Sequence, residues 1–572
     1  MGKIIGIDLG TTTSEIAYIR NGKPEIIVND LGDRITPSLV GLTDDNEIIV
    51  GRLVKRHAIL KPERTVIEVK RLMGTDTKVS LGKKQFLPQQ ISAMILKNLK
   101  KYAEDFLGEK VTEAVITVPA KFNNLQRQAT KEAGELAGLK VERIINEPTA
   151  AALAYGINNL ESEEKVLVYD LGGGTFDVTV LELFDGVLDV KASRGNNKLG
   201  GKDFDERIEK YVIEDFKQKY DIDLRGNIKA MSRIKDASER AKIELSSMES
   251  TEIDLPYIAI DKDENPLELS IKLTRSKFEE LIMDLVESTD KEIQDAFKAS
   301  SYSAQDIDVV LAVGGSSRIP CVKRLLKTKF GNKIKTNINP DEAVALGAAI
   351  QAGIKSDEIS SDDSILITDA CNYTLGISIV SDIGNGRLRG GIFDPIIMKD
   401  SKLPCTEKKV YYTMHDSQTS VDINVYEGDG KLVIENTQIA QFVLEGIPEA
   451  PKGEEAIEVA FTYNLNGILE VTAKILSTGK SVSKIIDTQG IDKKDSMFFE
   501  EESLDNWQKC ELAPKVKSTI DLCERKMKKM NDDDREKVQK TLDKLKKAVI
   551  DNNEKLVEKC DDELTDLLFD IG

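Results

Sequence analysis

VLVYDLGGGTFDVTVLEL, which spans residues 166–183, is the stretch that decides the fold of this chain. Apolar and aromatic residues lead into Asp170, three consecutive glycines follow Leu171, and apolar residues alternate again after Thr175. This pattern predicts two strands joined by a tight turn. Consecutive glycines let the backbone adopt positive φ and approach a ligand, and successive N–H groups in such a turn bind phosphate oxygens.

Asp170 stands at the entrance of this turn, where its carboxylate would repel a phosphate unless a hydrated cation lay between them. The residue therefore indicates magnesium together with a nucleotide. Taken alone, the segment fits a glycine-rich hairpin without a ligand equally well. However, residues 4–19, IIGIDLGTTTSEIAYI, repeat the pattern with Asp8 and Gly10 in the corresponding places. Two copies predict two related lobes, each offering a phosphate-binding turn to a shared cleft.

Length and composition restrict the function further. A chain of 572 residues is too long for one hydrophobic core and long enough for three or four domains. The formal net charge of -19 argues against a nucleic-acid-binding surface. We expect no signal peptide and no membrane span, and the simplest location is the cytoplasm. With two histidines, and with cysteines that lack CxxC spacing, neither a zinc site nor a disulfide framework is indicated.

The hydrophobic pattern changes three times along the chain. Residues 1–360 alternate strand-like and helical segments, as in α/β proteins, and residues 361–369 form a linker that begins with an acidic stretch. Residues 370–496 alternate with a period of two, which predicts a β-sandwich with a hairpin turn at Asn466-Gly467. Residues 497–572 have helical spacing and predict a shortened helical lid.

Two apolar stripes run through this last region, and they indicate the core of a small helical bundle rather than a cofactor site. We expect Pro514 to interrupt its first helical stretch. The stripes consist of Val516, Ile520, Cys523, Met527 and Met530, and of Val538, Leu542, Leu545 and Val549.

Three further segments fit a nucleotide cleft. LAVGGSSR places Gly314 and Gly315 at the end of a strand, where Arg318 could stack on a base. NPDEAVALGAA begins a helix with acidic residues in its first turn, which alone indicates no more than a well-capped helix. In ERAKIELS, Glu239, Lys242 and Ser246 share one helical face, whose simpler explanation is a solvated ion-pair surface.

The chain contains no GxxxxGK[ST] loop, so it is not a P-loop enzyme. Gly479-Lys480-Ser481 mimics the end of that motif, but it lies between strand-like segments and suits a hairpin turn. Attack on a terminal phosphate would need positioning and charge neutralisation, for which Lys70, Glu147 and Asp177 are the candidates. The residues themselves support Asp177 best, because it adjoins the glycine turn.

Seven segments carry a joint pattern that covers most of residues 1–355. They are GIDLGTTTS (6–14), AVITVPAKFNNLQRQAT (114–130), RIINEPTAAALAYG (143–156), YDLGGGTFDV (169–178), LGGKDFD (199–205), VGGSSRIP (313–320) and NPDEAVALGAA (339–349). With them the chain resembles bacterial, DnaK-type members of the seventy-kilodalton heat-shock protein (Hsp70) chaperone family. The resemblance implies an actin-like ATPase of two lobes with a duplicated ribonuclease-H-like core, followed by a β-sandwich peptide-binding domain and an α-helical lid.

The resemblance also implies roles for residues in the first 360 positions. Lys70 would orient the attacking water, with Glu147 and Asp177 assisting, while Asp8 and Asp170 would organise Mg2+ and K+ largely through water. The residues expected to hold the phosphates of ATP or ADP are Gly10, Thr11, Thr12, Gly172, Gly173, Gly174 and Thr175. Those expected to line the adenosine pocket are Glu239, Lys242, Ser246, Gly314, Gly315, Ser316, Arg318 and Asp341.

The linker and the groove follow from the same resemblance. Ile365, Leu366, Ile367 and Asp369 match the linker of the family, whereas Thr368 stands where leucine is usual. The lost apolar area would weaken docking of the linker by about 1 kcal/mol. The peptide groove would fall on a set of apolar and aromatic residues, although Ile423 fits the core of the β-domain equally well. That set is Ile377, Val380, Tyr411, Val421 and Ile423.

Four departures from the family pattern bear on specificity. The segment after Lys70 is short, as in family members that lack an insertion in the first lobe, which would change the nucleotide-exchange factor that the protein uses. Lys121, in the segment PAKF, stands where the family usually has an aromatic residue. The loop at 384–394 is lengthened beside the groove, and the lid is trimmed.

The leading hypothesis is an ATP-dependent chaperone that binds and releases extended apolar segments of unfolded proteins, with a J-domain co-chaperone and a nucleotide-exchange factor as partners. The alternatives are an uncoupled ATPase dedicated to one protein partner and, more weakly, a small-molecule kinase of the same superfold.

Overall fold

The computed structural model describes residues 3–159, 161–335, 339–360, 365–382, 388–464, 466–486, 507, 512–527, 530, 532–550 and 553–570. Contacts divide the chain into two units, Met1–Thr488 and Gln489–Gly572.

The first lobe of the larger unit contains one main sheet, two small sheets and four helices. Its strands are β1 (Lys3–Leu9), β2 (Thr13–Arg20), β3 (Lys23–Ile27), β4 (Thr36–Pro37), β5 (Val40–Leu42), β6 (Ile48–Val50), β7 (Thr65–Val66), β8 (Val79–Leu81), β9 (Lys84–Phe86), β10 (Val111–Val118) and β11 (Lys140–Asn146). Its helices are α1 (Arg52–Leu60), α2 (Pro88–Leu107), α3 (Asn124–Leu136) and α4 (Glu147–Gly156).

The second lobe has a main sheet of its own and one long hairpin. Its strands are β12 (Glu164–Leu171), β13 (Phe176–Phe184), β14 (Val187–Asn196), β15 (Ser250–Ile260), β16 (Pro266–Thr274), β17 (Val309–Val313) and β18 (Ile334–Lys335). Its helices are α5 (Gly201–Tyr220), α6 (Ile228–Leu245), α7 (Arg275–Ser300), α8 (Pro320–Phe330) and α9 (Ala343–Lys355).

The two main sheets have the same strand order. The first runs β11-β10-β1-β2-β3, and the second runs β18-β17-β12-β13-β14 before it continues. In each, three strands form an antiparallel meander, a later strand adds in parallel to its first strand, and another adds in parallel to that one. Each glycine turn joins the first two strands of its meander.

Local sequence explains where several helices begin and end. Asn123 caps α3 by accepting a hydrogen bond from the N–H of Gln126, whose side chain bonds back to the N–H of Asn123. Helix α2 begins at Pro88, where no N–H donor is needed, and ends at Gly108 with φ of 70°. The alanine-rich helices α4 and α9 share one buried core with residues of both main sheets.

The remainder of the larger unit is formed by strands. They are β19 (Leu366–Ala370), β20 (Leu375–Asp382), β21 (Leu388–Ile397), β22 (Lys402–Leu403), β23 (Cys405–Tyr412), β24 (Ser420–Glu427), β25 (Thr437–Glu445), β26 (Ala456–Tyr463), β27 (Leu469–Ile475) and β28 (Ser481–Ile485). Two antiparallel sheets, β21-β20-β24-β25 and β23-β26-β27-β28, contribute to one hydrophobic core. Asn466 and Gly467 lie in the turn between β26 and β27, and Gly479 lies in the hairpin turn before β28, as predicted.

The smaller unit contains three helices, α10 (Ala513–Met527), α11 (Asp532–Ile550) and α12 (Glu554–Asp570). The predicted stripes pack together here with Trp507 and with residues of α12. Pro514 is the second residue of α10, where the N–H that proline lacks would have no carbonyl partner within the helix. Residues 508–511, which precede this helix, lie outside the described residues, so the prediction that Pro514 interrupts a helical stretch stays a prediction. In the part of the chain that the structure describes, no helix is long and apolar enough to cross a membrane.

Candidate functional site

The two glycine turns face each other across a cleft between the lobes. A Cβ added to Gly173 would lie 2.5 Å from Thr12, and one added to Gly174 would lie 2.7 Å from Thr11. Neither glycine has φ in the left-handed region, so the expectation of positive φ was wrong here. The glycines are needed because the turns approach so closely that no side chain fits, which leaves backbone N–H groups to line the cleft.

Acidic side chains converge beside these turns. Thr117 donates a hydrogen bond of 2.8 Å to Asp8 at the end of β1, while Asp170 and Asp177 pair across β12 and β13. Burial, and then the charge of Glu147, raises the pKa of Asp8 and of Asp177 to about 7. The same causes raise the pKa of Asp170 well above its usual value, with further contributions from Asp177 and Asp8.

Lys70 and Glu147 form an ion pair in this cleft, both almost fully buried. Glu147 is the first residue of α4, and Lys70 lies in a short 3-10 helix over residues 69–72. The Lys70 ammonium also lies 5.7 Å from the centre of the Phe122 ring. The structure thus brings together the lysine and the glutamate that the sequence proposed, 77 positions apart in the chain.

Asp177 is held by the backbone rather than by a lysine. Its two carboxylate oxygens accept hydrogen bonds from the N–H groups of Ala120, at 3.2 Å, and of Lys121, at 3.3 Å. These bonds and the charge of Lys121 partly oppose the effect of burial on its pKa. The carboxylate is therefore fixed by the segment that follows β10.

The carboxyl groups beside the glycine turns repel one another, and this repulsion indicates that a cation fits among them. The charge of Glu147 raises the pKa of Asp8, Asp170 and Asp177, and Asp8 and Asp177 raise that of Asp170 further, so a hydrated divalent ion would relieve repulsion among these carboxylates. Among the described residues, no set of three or more His, Cys, Asp or Glu side chains is arranged to hold a metal directly. The donor set fits an ion that is held largely through water, as Mg2+ commonly is.

On the second lobe, the segment after β17 packs on the glycine turn. Ser316 donates a hydrogen bond of 2.9 Å to the carbonyl of Gly172, and the N–H of Gly314 donates to Pro340 at 3.0 Å. Arg318 is half-exposed and pairs with Asp341 at 2.6 Å. Gly315 is the first residue of a short 3-10 helix, Gly315–Arg318, which lies between β17 and α8 and belongs to the same wall of the cleft.

Helix α6 forms the neighbouring wall. Lys242 donates to the carbonyl of Gly201 at 3.1 Å, and a Cβ on Gly201 would lie within 3.0 Å of both Lys242 and Ser316. Glu239 pairs with Lys55 of the first lobe at 3.5 Å. Ser246 caps the C-terminal end of α6, and its hydroxyl donates to the carbonyl of Lys242 at 3.2 Å.

Sequence reasoning missed four charged residues of this cleft, Arg71, Lys202, Asp203 and Asp205. Arg71 donates to the carbonyl of Gly174 at 3.1 Å and pairs with Asp203 at 2.7 Å. Asp205, which is fully buried, pairs with Lys242 at 2.8 Å and with Lys202 at 3.7 Å. Gly200 and Gly201, at the start of α5, are the sequence signal that could have identified this region. A Cβ on Gly200 would lie 2.6 Å from the backbone of Gly174, so this glycine pair marks a third close approach of backbone to the turns.

The apolar linker residues pack on the second lobe. β19 pairs in parallel with β14, which buries Ile367, while Ile365 is buried beside α4 and Leu366 remains 64% exposed. Thr368 lies opposite Asp189 and donates its hydroxyl to that carboxylate. Asp369 accepts a hydrogen bond of 2.7 Å from Asn146.

Further contacts join the β-strand region to the lobes. Arg194 pairs through two hydrogen bonds of 2.8 Å with Asp400, and Glu427 accepts bonds from the N–H and side chain of Asn124 at 3.2 and 3.3 Å. Burial raises the pKa of Glu427 to about 7, against the hydrogen bonds from Asn124 and the charge of Arg127.

The predicted groove residues do not form one exposed surface. Ile377 and Ile423 lie in the core between the two sheets, and Tyr411 and Val421 pack against that core. Tyr411 also donates to Asp394 at 2.7 Å. Val380 is 47% exposed, at the end of β20. Residues 384–387 of the lengthened loop beside it lie outside the described residues.

Comparison with known proteins covers nearly the whole chain. A family model described as "Hsp70 protein" matches residues 4–81 and 75–572. A protein named "Chaperone protein DnaK" from Thermotoga neapolitana is 50% identical over 485 residues, which are 84% of this chain and 80% of that protein. One of the same name from Thermosipho africanus is 45% identical over 575 residues, covering 98% and 94%.

Proposed function

The chain belongs to the Hsp70 family, and from that premise we propose how its cleft, linker and β-strand region carry out one ATP-driven cycle. The protein is an ATPase and a molecular chaperone: it binds and releases extended segments of unfolded proteins under the control of ATP hydrolysis. Nucleotide is used together with Mg2+. The comparisons do not favour the alternative of an uncoupled ATPase dedicated to one partner.

We assign residues 1–360 to an actin-like ATPase domain and 361–369 to the linker. Residues 370–496 are a β-sandwich substrate-binding domain, and 497–572 are a shortened lid. The repeated strand order of the two main sheets supports a duplicated ribonuclease-H-like core in the ATPase domain. The shared core of the two later sheets supports the sandwich.

The cleft between the glycine turns is the ATP site. The phosphates lie against the backbone of residues 10–12 and 172–175, and the adenosine lies between α6 and the segment 314–318. Asp8 and Asp170 would hold Mg2+, and K+, largely through water. Mg2+ would supply positive charge to the phosphate oxygens.

The buried ion pair of Lys70 with Glu147 carries the proposal. The charge of the Lys70 ammonium acts on both Asp8 and Asp170, where it opposes the rise of their pKa values. In this position Lys70 orients the attacking water, Glu147 fixes Lys70, and Asp177 holds the water from the opposite side. Positioning and charge neutralisation are what phosphoryl transfer requires of a protein.

The docked linker transmits the state of this site. We propose that ATP favours the arrangement in which β19 pairs with β14, and that the peptide groove is then open; hydrolysis releases the linker and closes the groove. Extended peptide would be held by backbone hydrogen bonds and by a pocket at Ile377, Val380, Tyr411, Val421 and Ile423. A rearrangement of the sandwich must then expose Ile377 and Ile423, which are buried in the docked arrangement.

The affinity of a fluorescently labelled apolar peptide, measured with ATP and with ADP, tests this function. We expect weaker binding with ATP, because the docked arrangement excludes the peptide-holding form of the sandwich. The Lys70→Ala variant, in which hydrolysis is slowed, should keep the ATP-induced loss of affinity. Equal affinities with the two nucleotides in the unaltered protein would refute the coupling.

The remaining assignments follow from the family. We propose a J-domain protein as the partner that stimulates hydrolysis, a nucleotide-exchange factor as the partner that releases ADP, and the cytoplasm as the location.

A further inference from the structure

Two residues that follow the linker reach the backbone beside the catalytic cleft. The side-chain N–H of Asn372 donates to the carbonyl of Ala120, and the hydroxyl of Tyr373 donates to the carbonyl of Lys121 at 2.8 Å. Asn372 is buried, and Tyr373 is largely enclosed. Both belong to the β-strand region, about 250 positions away from their partners.

The same short segment holds Asp177. The peptide unit between Ala120 and Lys121 presents its carbonyl to Asn372 and its N–H to Asp177, at 3.3 Å. A peptide unit is planar, so fixing one end fixes the direction of the other. Accepting a hydrogen bond at the carbonyl also polarises the N–H and strengthens its bond to the carboxylate.

Lys121 adds a second link between the two parts. Its ammonium lies 4.5 Å from the centre of the Tyr373 ring and 3.5 Å from the carbonyl of Asn372. An ammonium over an aromatic face is attracted to it, more strongly where water is excluded. The ring of Tyr373 therefore cannot leave its place without releasing the side chain and the carbonyl of Lys121 together.

We propose that Asn372 and Tyr373 are positioning residues for ATP hydrolysis, which set the orientation of the Asp177 carboxylate through the backbone of residues 120–121 while the β-strand region is docked. The inference rests on the role proposed above for Asp177. It adds a connection between the two domains that does not pass through the paired strands of the linker.

A simpler role for both residues is to hold the domains together, and the control must separate the two roles. Asp400→Asn removes the carboxylate charge and one of the two bonds with Arg194, which join the same two domains without touching residues 120–121. Tyr373→Phe removes one hydroxyl and leaves the ring beneath Lys121. Asn372→Ala removes the amide. Should Asn372→Ala fail to fold, Tyr373→Phe carries the test alone.

The experiment measures four quantities on the full chain: the single-turnover hydrolysis rate at saturating ATP, the affinity for ATP, the docked fraction from interdomain energy transfer, and hydrogen exchange over residues 119–122. For Asn372→Ala and Tyr373→Phe we expect a rate about 3-fold lower than that of Asp400→Asn at equal docked fraction. The affinity for ATP should be unchanged, and exchange at residues 120–121 should be faster.

Two results together would overturn the inference. At equal docked fraction, Asn372→Ala and Tyr373→Phe would hydrolyse ATP at the same rate as Asp400→Asn, and hydrogen exchange over residues 119–122 would be unchanged. Asp177→Asn separates this failure from failure of the proposed function. An unaltered rate in Asp177→Asn would remove the role of Asp177 itself, and with it the inference. The other outcome is a reduced rate in Asp177→Asn while Asn372→Ala and Tyr373→Phe have the rate of Asp400→Asn at equal docked fraction. That outcome would refute the inference but leave the role of Asp177 in place.

Discussion

Replacing Thr368 with valine tests how the linker is held. From the sequence, a hydroxyl at this position was expected to weaken docking because it reduces apolar area. In the structure the hydroxyl donates to Asp189, and the side chain is half-buried in the pairing of β19 with β14. Valine keeps the shape and the β-branch of threonine but removes the donor, so Thr368→Val should weaken docking.

The magnitude follows from the partners of Asp189. A hydrogen bond to a charged group contributes about 1.5–3 kcal/mol. Here the carboxylate keeps its contacts with Lys402, at 2.7 and 2.8 Å, and with Lys191, at 2.9 Å, so no buried charge is left unpaired. We therefore expect a loss of about 1 kcal/mol, or about 5-fold in the docking equilibrium.

The assay is the ratio of peptide dissociation constants with ATP and with ADP. If the docked form cannot bind peptide tightly, the ratio of the two dissociation constants scales with the docking equilibrium. Thr368→Val should then reduce this ratio about 5-fold. Thr462→Val, on an exposed part of β26, is the matched control and should leave the ratio unchanged. An unchanged ratio in Thr368→Val would show that the hydrogen bond contributes nothing to docking. An increased ratio would show that the apolar argument from sequence was right.

Three further predictions concern other parts of the molecule. Burial raises the pKa of Glu427 to about 7 in the docked arrangement. If release of the linker exposes this carboxyl and lowers its pKa, docking takes up a proton, so the peptide-affinity ratio should fall as pH rises through about 7 and Glu427→Gln should flatten this dependence. Lys70→Ala should slow single-turnover hydrolysis at least about 100-fold. It should also lower the free energy of unfolding by about 3 kcal/mol, because Glu147 loses its buried partner. The double variant Lys70→Ala/Glu147→Gln should regain stability but not hydrolysis. In the helical unit, Ile520→Ala should destabilise residues 513–570 by about 3 kcal/mol by hydrogen exchange, whereas Leu522→Ala, at an exposed position on the same helix, should change little.

Much of the fold could be predicted because its signals are local. The glycine turns identified both hairpins, and their repetition identified the two lobes. A hairpin of this kind needs only the alternation of neighbouring residues and a turn without side chains. The helical stripes of the smaller unit were equally readable, since residues three or four apart share a face.

What could not be predicted depends on partners far away in the chain. Nothing near Thr368 indicates that Asp189 lies opposite it, and nothing near Asn372 indicates Ala120. Alternation with a period of two shows that Ile423 faces one side of a sheet, but it does not show whether that side meets a ligand or a second sheet. Pairing of distant residues is a property of the packed lobes, and the sequence shows only the residue types that allow it.

The second main sheet does not end with the ATPase lobe. β19 of the linker and β22 of the substrate-binding region extend it, so one ladder of backbone hydrogen bonds crosses the domain boundary. A strand cannot slide gradually along its neighbour, because a shift of one residue would turn Ile367 to solvent and Thr368 to the core. Release of the linker must break the ladder as a unit. We therefore expect release of the linker to be all-or-none, so that the affinity for a client peptide switches between two values instead of varying gradually.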